Sequence, residues 1–444
     1  MATTRRDFLK AAGASALGLY FAPTALAQPR SPNERLNIAC IGVGGQGGAD
    51  LHEVAKFGDN IVALVDIDRE RLQGQAANFP NARLYTDYRM MFHGQEDIDA
   101  VIVGTPDHHH AIPAAMAMVR GQHVYCEKPL THTAYEARFL AELHKKTNVQ
   151  TQMGNQGHAS DALREAVEIM QSGILGKVTE AHVWTDRPVG WWPQGVTKPK
   201  EAEEQPLKYS WDNFLGPASW RPFHSAYQPF IWRGWYDFGT GAIGDIACHS
   251  CDSIFWGLGL GHPKLIEVYE TDGTGTVDSP PERSRTRFTF PDGFVLHWHD
   301  GRWKPDESLF HGIAVPANGK LIIGTEGSLL LDGPKPWMLL PEAKWASYVK
   351  PAPTLPRSPG NHEEWVRAAR GGEPSLGHFS YSGHMTEVVV LGNIAHRAGG
   401  KIEWDGPNMR VTNVRSAQQY VSKHYRKGWD LHELTGIKPL FPWA

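Results

Sequence analysis

The segment from residue 37 to 66 constrains the fold more than any other part of the chain. Asn37-Ile-Ala-Cys-Ile-Gly42 is a short apolar run bounded by polar residues, the pattern of a buried strand. It runs into Gly42-Val-Gly44-Gly45-Gln46-Gly47, a G-x-G-x-x-G turn, and from Gly48 to Phe57 the residues Leu51, Val54 and Ala55 share one helical face. A second apolar run, Ile61 to Val65, ends in Asp66, nineteen residues after Gly47. Together these make a strand, glycine turn, helix, strand and acid, the unit that holds a dinucleotide. Gly42 permits the tight turn, Gly44 admits a pyrophosphate to the helix N-terminus, and Gly47 lets helix and strand pack closely. Gly45 and Gln46 complete the turn, and Asp66 is placed to accept hydrogen bonds from a ribose hydroxyl. A carboxylate there repels a 2′-phosphate, which favours NAD over NADP; Arg69 is the feature that pulls the other way.

The alternation of strand and helix continues. Ala100–Val103, His123–Cys126 and Val149–Gln152 read as strands, and Thr133–Lys146 as a helix with Phe139, Leu140 and Leu143 on its apolar face. The reading is therefore α/β. A dinucleotide-binding domain over residues 37–151 precedes a second, α+β domain over 152–444. Asp107 and Lys128 fall at strand carboxyl ends, where ligands bind in such sheets.

Other features bound the partners. Lys plus Arg (44) against Asp plus Glu (48) leaves no basic excess to neutralise a phosphate backbone, so no nucleic-acid partner is expected. Residues 1–27 read as an export signal. They hold paired arginines at Arg5-Arg6, an apolar Ala/Gly-rich stretch from Ala11 to Leu26 and the small-x-small end Ala25-Leu26-Ala27. The pair resembles the twin-arginine type, which exports folded proteins. It predicts a periplasmic protein, free of the membrane after cleavage, that carries a tightly held cofactor inserted before export. Residues 28–36 are a polar arm.

Three motifs then carry a resemblance. They are the glycine turn, Thr105-Pro106-x-x-x-His110, and Glu127-Lys128-Pro129 at a strand end; a later stretch, Gly241-Ala-Ile-Gly-Asp245-Ile-Ala-Cys-His249-Ser-Cys-Asp252, extends it. In order and separation they resemble the glucose–fructose oxidoreductase / inositol dehydrogenase / MocA family. The resemblance implies a Rossmann domain followed by a domain with a large open mixed β-sheet. One face of that sheet approaches the nicotinamide and the other serves a homodimer or homotetramer. It implies Thr105, Asp107, His110, Glu127 and Lys128 as cofactor-binding residues. It also implies Lys128, Asp245 and His249 as the catalytic set, all three touching substrate. Asp245 and His249 stand four apart, so on a helix they share a face, and the carboxylate is expected to orient the imidazole or bind an adjacent hydroxyl. The family's usual arginine at the second-domain entry is replaced by Gln152-Met-Gly-Asn155-Gln156-Gly157-His158. Asn155 is expected at the cofactor, and Gln156 and His158 at the substrate.

All sixteen tryptophans lie from Trp184 onward, and Arg233 and Tyr236 sit in the tryptophan-rich region as polar contacts to a carbohydrate. No metal site is expected. His108, His109 and His110 are consecutive and cannot all face one ion from a helix. His297 and His299 share a strand face, read as a polar pair, and Cys248-x-x-Cys251 is read as packing. The expected activity is NAD(H)-dependent oxidoreduction at a ring hydroxyl or carbonyl of a sugar or glycoside. The alternatives are a glycosidase or lyase acting through transient oxidation, and a sugar-binding scaffold with a vestigial nucleotide domain.

Overall fold

The computed structural model describes residues 35–332, 337–350 and 352–444. The export signal and most of the arm lie outside the described residues. The first half is a six-stranded parallel sheet in the order β3-β2-β1-β4-β5-β6. Its elements are β1 (Asn37–Ile41), α1 (Gly45–Ala55), β2 (Asn60–Val65), α2 (Arg69–Ala76), β3 (Arg83–Tyr85), α3 (Tyr88–Gly94), β4 (Ala100–Val103), α4 (Ala111–Met118), β5 (His123–Glu127), α5 (Ala134–Lys146) and β6 (Thr151–Gly154). The central strands β1, β2 and β4 are almost wholly apolar and buried because helices cover both faces, whereas the edge strand β3 is largely exposed. Strand order reverses between β1 and β4, so the carboxyl ends open a crevice beside the glycine turn. The last strand begins two residues later than its apolar run suggests.

After α6 (Asp161–Gln171) the chain enters a nine-stranded mixed sheet. Its elements are β7 (Val178–Trp184), α7 (Gly241–Ser250), α8 (Asp252–Leu258), β8 (Leu265–Thr271), β9 (Ser284–Thr289), β10 (Val295–His299), β11 (Gly319–Gly324), β12 (Ser328–Leu331) and β13 (Met338–Leu340). Next come α9 (Asn361–Ala369), α10 (Phe379–Arg397), β14 (Lys401–Asp405) and β15 (Arg410–Val411). The order is β13-β12-β11-β7-β10-β9-β8-β14-β15, with β7 and β10 parallel and their other neighbours antiparallel. One face of this sheet is apolar. Ala181, Val183, Leu296, Trp298 and Phe288 pack on Ile243 and Ala247 of α7 and on Val388 and Val389 of α10. Along α10, every residue from Met385 to Ala395 is buried.

The halves are not separable lobes. Helix α10 packs along α5 of the nucleotide half. Helix α9 returns to the first sheet, where Trp365 and Val366 join the cluster of Leu51, Val54 and Ile102. Among the described residues, no helix is long and apolar enough to cross a membrane.

The glycine turn shows why its residues are small. Gly42 has φ +85°, and a Cβ there would stand 2.6 Å from the Gly104 carbonyl oxygen. A Cβ on Gly47 would collide with the Gly42 carbonyl oxygen, which is backbone and cannot yield. Gly47→Ala is therefore expected to destabilise the protein by about 1–3 kcal/mol, read as a lowered urea midpoint.

Candidate active site

The site forms where β5 ends and α7 begins. Strand β5 delivers Glu127 and Lys128 at its carboxyl end. The first turns of α7 present Asp245, and His249 follows one turn later, so the four-residue spacing places both on the cleft side. The two elements meet through an ion pair: Lys128 Nζ lies 2.6 Å from Asp245 Oδ1 and 3.2 Å from the Asp245 carbonyl oxygen. Arg233 Nη1 approaches the same Oδ1 at 3.2 Å and Asp107 Oδ1 at 3.2 Å. Burial opposes the charge on Asp245, but Arg233 and Lys128 outweigh it and hold the carboxyl down at about 2.

His249 is oriented by Asn155. The Asn155 amide nitrogen donates to the Cys248 carbonyl and to Asp252 Oδ2, both at 2.9 Å. Two acceptors on the nitrogen fix which way the amide points. Its oxygen then accepts from His249 Nδ1 at 2.6 Å. With the proton on Nδ1, Nε2 carries the lone pair. Burial, then the charge of Lys128, lowers His249 to about 3, so the imidazole is neutral at ordinary pH. The sequence pattern offers Asp245 either for this orienting role or for an adjacent hydroxyl. The structure gives the orienting role to Asn155, because the Asp245 carboxylate already serves two cations.

Asp252 anchors the next layer. It accepts from His158 Nδ1 at 2.9 Å and from the Tyr381 hydroxyl at 2.6 Å. His158 is buried and stacked on Trp256, so it braces Asp252 from behind. Gln156 donates to Glu127 Oε1 at 2.7 Å. Gly154 makes room for that carboxyl, since a Cβ there would collide with it. Burial, then the charge of Asp50, raises Glu127 well above the carboxylate range.

Other expected residues make contacts of their own. Asp107 accepts from the Thr240 backbone and hydroxyl at 3.0 and 2.6 Å, besides Arg233, and so ties the two halves together. His110 bonds the carbonyls of Pro129 and Thr105. His108 and His109 both bond the Phe214 carbonyl. All three histidines brace loops. Tyr236 lines a separate cavity with Arg397, Asn393 and Lys423. Burial pushes the Cys248 thiol up to about 12, and Cys251 further, which keeps both protonated.

One residue escapes a reading by motif. Lys320 on β11 pairs across from Val183, which faces the helices, so Lys320 points to the same side. Burial lowers its pKa, and its charge acts on Asp252 and His249. The signal was a lysine inside an otherwise apolar strand, Lys320-Leu-Ile-Ile.

The nucleotide groove fits a dinucleotide. Gly44, the N-cap of α1, has no side-chain cap, and the first turn of α1 holds no acid, which leaves its N–H groups for an anion. Nothing stands within 4 Å of a Cβ built on Gly45, so the turn is open above. Thr105 Oγ1, at the end of β4, is buried without a partner among the described residues. Asp66 accepts from the backbone of Val43 and Asp68 at 3.0 and 2.9 Å and braces the rim. Arg71, rather than Arg69, overhangs the turn: a Cβ on Gly44 would meet its Cδ at 2.8 Å.

Two family models match the chain. One describes the NAD-binding Rossmann fold of an oxidoreductase family and matches residues 36–155; the other describes the C-terminal α/β domain of that family and matches residues 160–324. The chain belongs to the glucose–fructose oxidoreductase / inositol dehydrogenase / MocA family of oxidoreductases. A 1,5-anhydro-D-fructose reductase of Ensifer adhaerens is 23% identical over 62% of this chain and 68% of its own. A glycosyl hydrolase family 109 protein of Solibacter usitatus is 28% identical over 40% of this chain and 44% of its own. The chain spans only 32%, 30% and 47% of three further curated relatives. In fold it is similar to the WlbA dehydrogenase of Bordetella pertussis, solved with NADH and UDP-GlcNAcA. That likeness has a TM-score of 0.60 and 16% identity, and covers 84% of this chain and 98% of the other. A levoglucosan dehydrogenase solved with NADH has a TM-score of 0.54 and 19% identity, covering 83% and 99%.

Burial makes stability depend on pH with a definite sign. His109, His132 and His249 are each held near 3 in the fold, against about 6.5 for an unfolded imidazole. Between those values the unfolded chain binds more protons, so stability is full above pH about 6.5 and falls as pH drops toward 3. The urea midpoint is expected to fall steadily from pH 7.5 to pH 5. The expected loss is of order 1–2 kcal/mol for each buried imidazole.

Proposed function

We propose that the protein is an NAD(H)-dependent oxidoreductase acting on a ring hydroxyl or carbonyl of a sugar or glycoside. The observation that carries the reading is the His249 tautomer: Asn155 engages Nδ1 and leaves Nε2 bare, and the Lys128 ammonium at the end of β5 is near enough for its charge to act on the ring. NAD, when bound, supplies the acceptor for the hydride of the carbinol. Gly42, Gly44, Gly45, Gln46 and Gly47 would hold its pyrophosphate, Asp66 its ribose, and Thr105 the neighbouring backbone of the groove. Glu127 would line the nicotinamide end.

The chain's own groups handle the proton. Lys128 donates a hydrogen bond to the reacting oxygen and stabilises negative charge as it develops there. His249 Nε2 takes the hydroxyl proton, and in the reverse direction returns it. Asn155 keeps Nδ1 protonated so that only Nε2 can act. Asp245 fixes the Lys128 ammonium in place, and Arg233 holds the Asp245 carboxylate. Lys320 adds a further positive charge that acts on His249 and Asp252.

The leader sequence supports export in folded form to the periplasm, and with it a cofactor that stays bound. The family resemblance supports a homodimer or homotetramer. A second reading, a glycosidase that oxidises and re-reduces its substrate, is favoured by the likeness to the glycosyl hydrolase family 109 protein.

The test is a panel of sugars and glycosides mixed with the purified protein, followed through the absorbance of reduced nicotinamide. One class is expected to change that band. His249→Ala is expected to lower kcat by about 10²–10⁴-fold with nucleotide binding kept, and Lys128→Ala to lower kcat as well. Release of a free aglycone without net reduction decides for the glycosidase. Full activity in both variants overturns the reading.

A further inference from the structure

The face of the large sheet turned away from α7 and α10 carries a cluster that the proposed reaction does not use. Strand side chains alternate, so Glu180 and His182 on β7 lie on one face while Ala181 and Val183 lie on the other, in the core. Strand β10 runs parallel to β7 with His297 directly across from His182 and His299 across from Trp184. Their neighbours Leu296 and Trp298 are in the core. His297 and His299 therefore share the outer face with Glu180 and His182.

Register and pleat bring three ligand atoms together. The rings of His182 and His297 are stacked 4.4 Å apart and 5° from parallel. Glu180 Oε2 stands 3.7 Å from Nε2 of His182 and 3.7 Å from Nε2 of His297. The three ligand atoms lie within 4.8 Å of one another. At 3.7 Å the carboxylate is beyond hydrogen-bond range of either ring, so the three atoms surround a space rather than bond across it. The other side of His182 is engaged: Nδ1 is 3.2 Å from His299 Nε2. With Nδ1 as donor there, Nε2 keeps its lone pair, and it is buried without a partner among the described residues. A second imidazole behind the first is what a metal-binding histidine needs to fix its tautomer and ring. Arg287, across from His297 on β9, bonds Glu267 at 2.7 Å.

A second His, His, Glu cluster shows the contrast. His262, His384 and Glu387 also converge, but a cation is already present: Arg138 bonds His262 Nε2 at 2.7 Å and Glu387 at 2.7 and 2.8 Å. Among the described residues, no guanidinium or ammonium bonds into the corresponding place between Glu180, His182 and His297.

We propose that Glu180, His182 and His297 bind one transition-metal dication of the zinc class, with water completing the shell. Two imidazoles and one carboxylate with an open fourth position suit that class and not magnesium or calcium, which take all-oxygen sets. Bond lengths of about 2.0–2.1 Å require the three atoms to draw inward. Glu180, at the solvent edge, and His297, partly exposed, have room to do so. The site lies across the sheet from Lys128 and His249, so the ion braces β7 against β10 rather than entering the proposed reaction.

The test uses the full chain without a histidine tag, stripped by chelator and titrated with Co²⁺. The cobalt absorption bands are read first, and Zn²⁺ retained after dialysis is counted second. One ion per chain is expected, with the intense visible bands of four-coordinate cobalt. Glu180→Gln and His297→Gln are each expected to weaken binding at least about tenfold, and His384→Gln to leave it unchanged. Glu180 is one-third exposed, so its replacement leaves the core intact. No binding by the unaltered chain, or equal binding by both variants, overturns the proposal.

Discussion

The structure is organised around one buried contact, the ammonium of Lys128 against the carboxylate of Asp245. The first belongs to the parallel sheet and the second to the helix resting on the mixed sheet. Asp107 and Arg233 extend the contact into a chain of alternating charge that crosses between the halves. Removing one partner from such a chain leaves a buried charge uncompensated, which is far costlier than the pair is favourable. The geometry is thereby held to one arrangement. The ion pair that aligns the halves is also the one that aims the lysine.

The second constraint is the fixed direction of one amide. Asn155 has two acceptors for its nitrogen, so its oxygen must face His249, and a neutral imidazole is left with a single basic nitrogen. The chemistry proposed for this site depends on that neutral form. It arises from burial and from a nearby positive charge, not from a carboxylate partner.

Local motifs made the nucleotide half legible, because each of its requirements falls within thirty residues: a turn with positive φ, a close helix approach, an acid at the next strand end. The helical spacing of Asp245 and His249 was equally plain. Which of them pairs with what was not, since Lys128 and Asn155 reach α7 across about a hundred residues of chain and no spacing rule covers that distance. The loop from Arg233 to Tyr236 shows the same limit. Its two polar residues look alike in sequence, yet Arg233 turns into the cleft and Tyr236 into another cavity. Lys320 was hidden for the opposite reason: its strand reads as apolar, and only the register against Val183 shows which way the lysine faces. Of the outer-face cluster, only His297 was visible, as one of a pair with His299 on a single strand. The carboxylate and the ring opposite came from a strand more than a hundred residues away.

Helix α9 has a consequence for evolution and for engineering. Asn361, its first residue, bonds the Tyr125 hydroxyl at 2.9 Å and the Asn155 carbonyl at 3.3 Å, while Trp365 lies fully buried against the first sheet. A segment translated late thus finishes a unit begun early. A fragment ending near residue 155 would leave a hole where an indole belongs. The nucleotide half is no interchangeable cassette: grafting it onto another scaffold would require carrying a distant piece of sequence along with it.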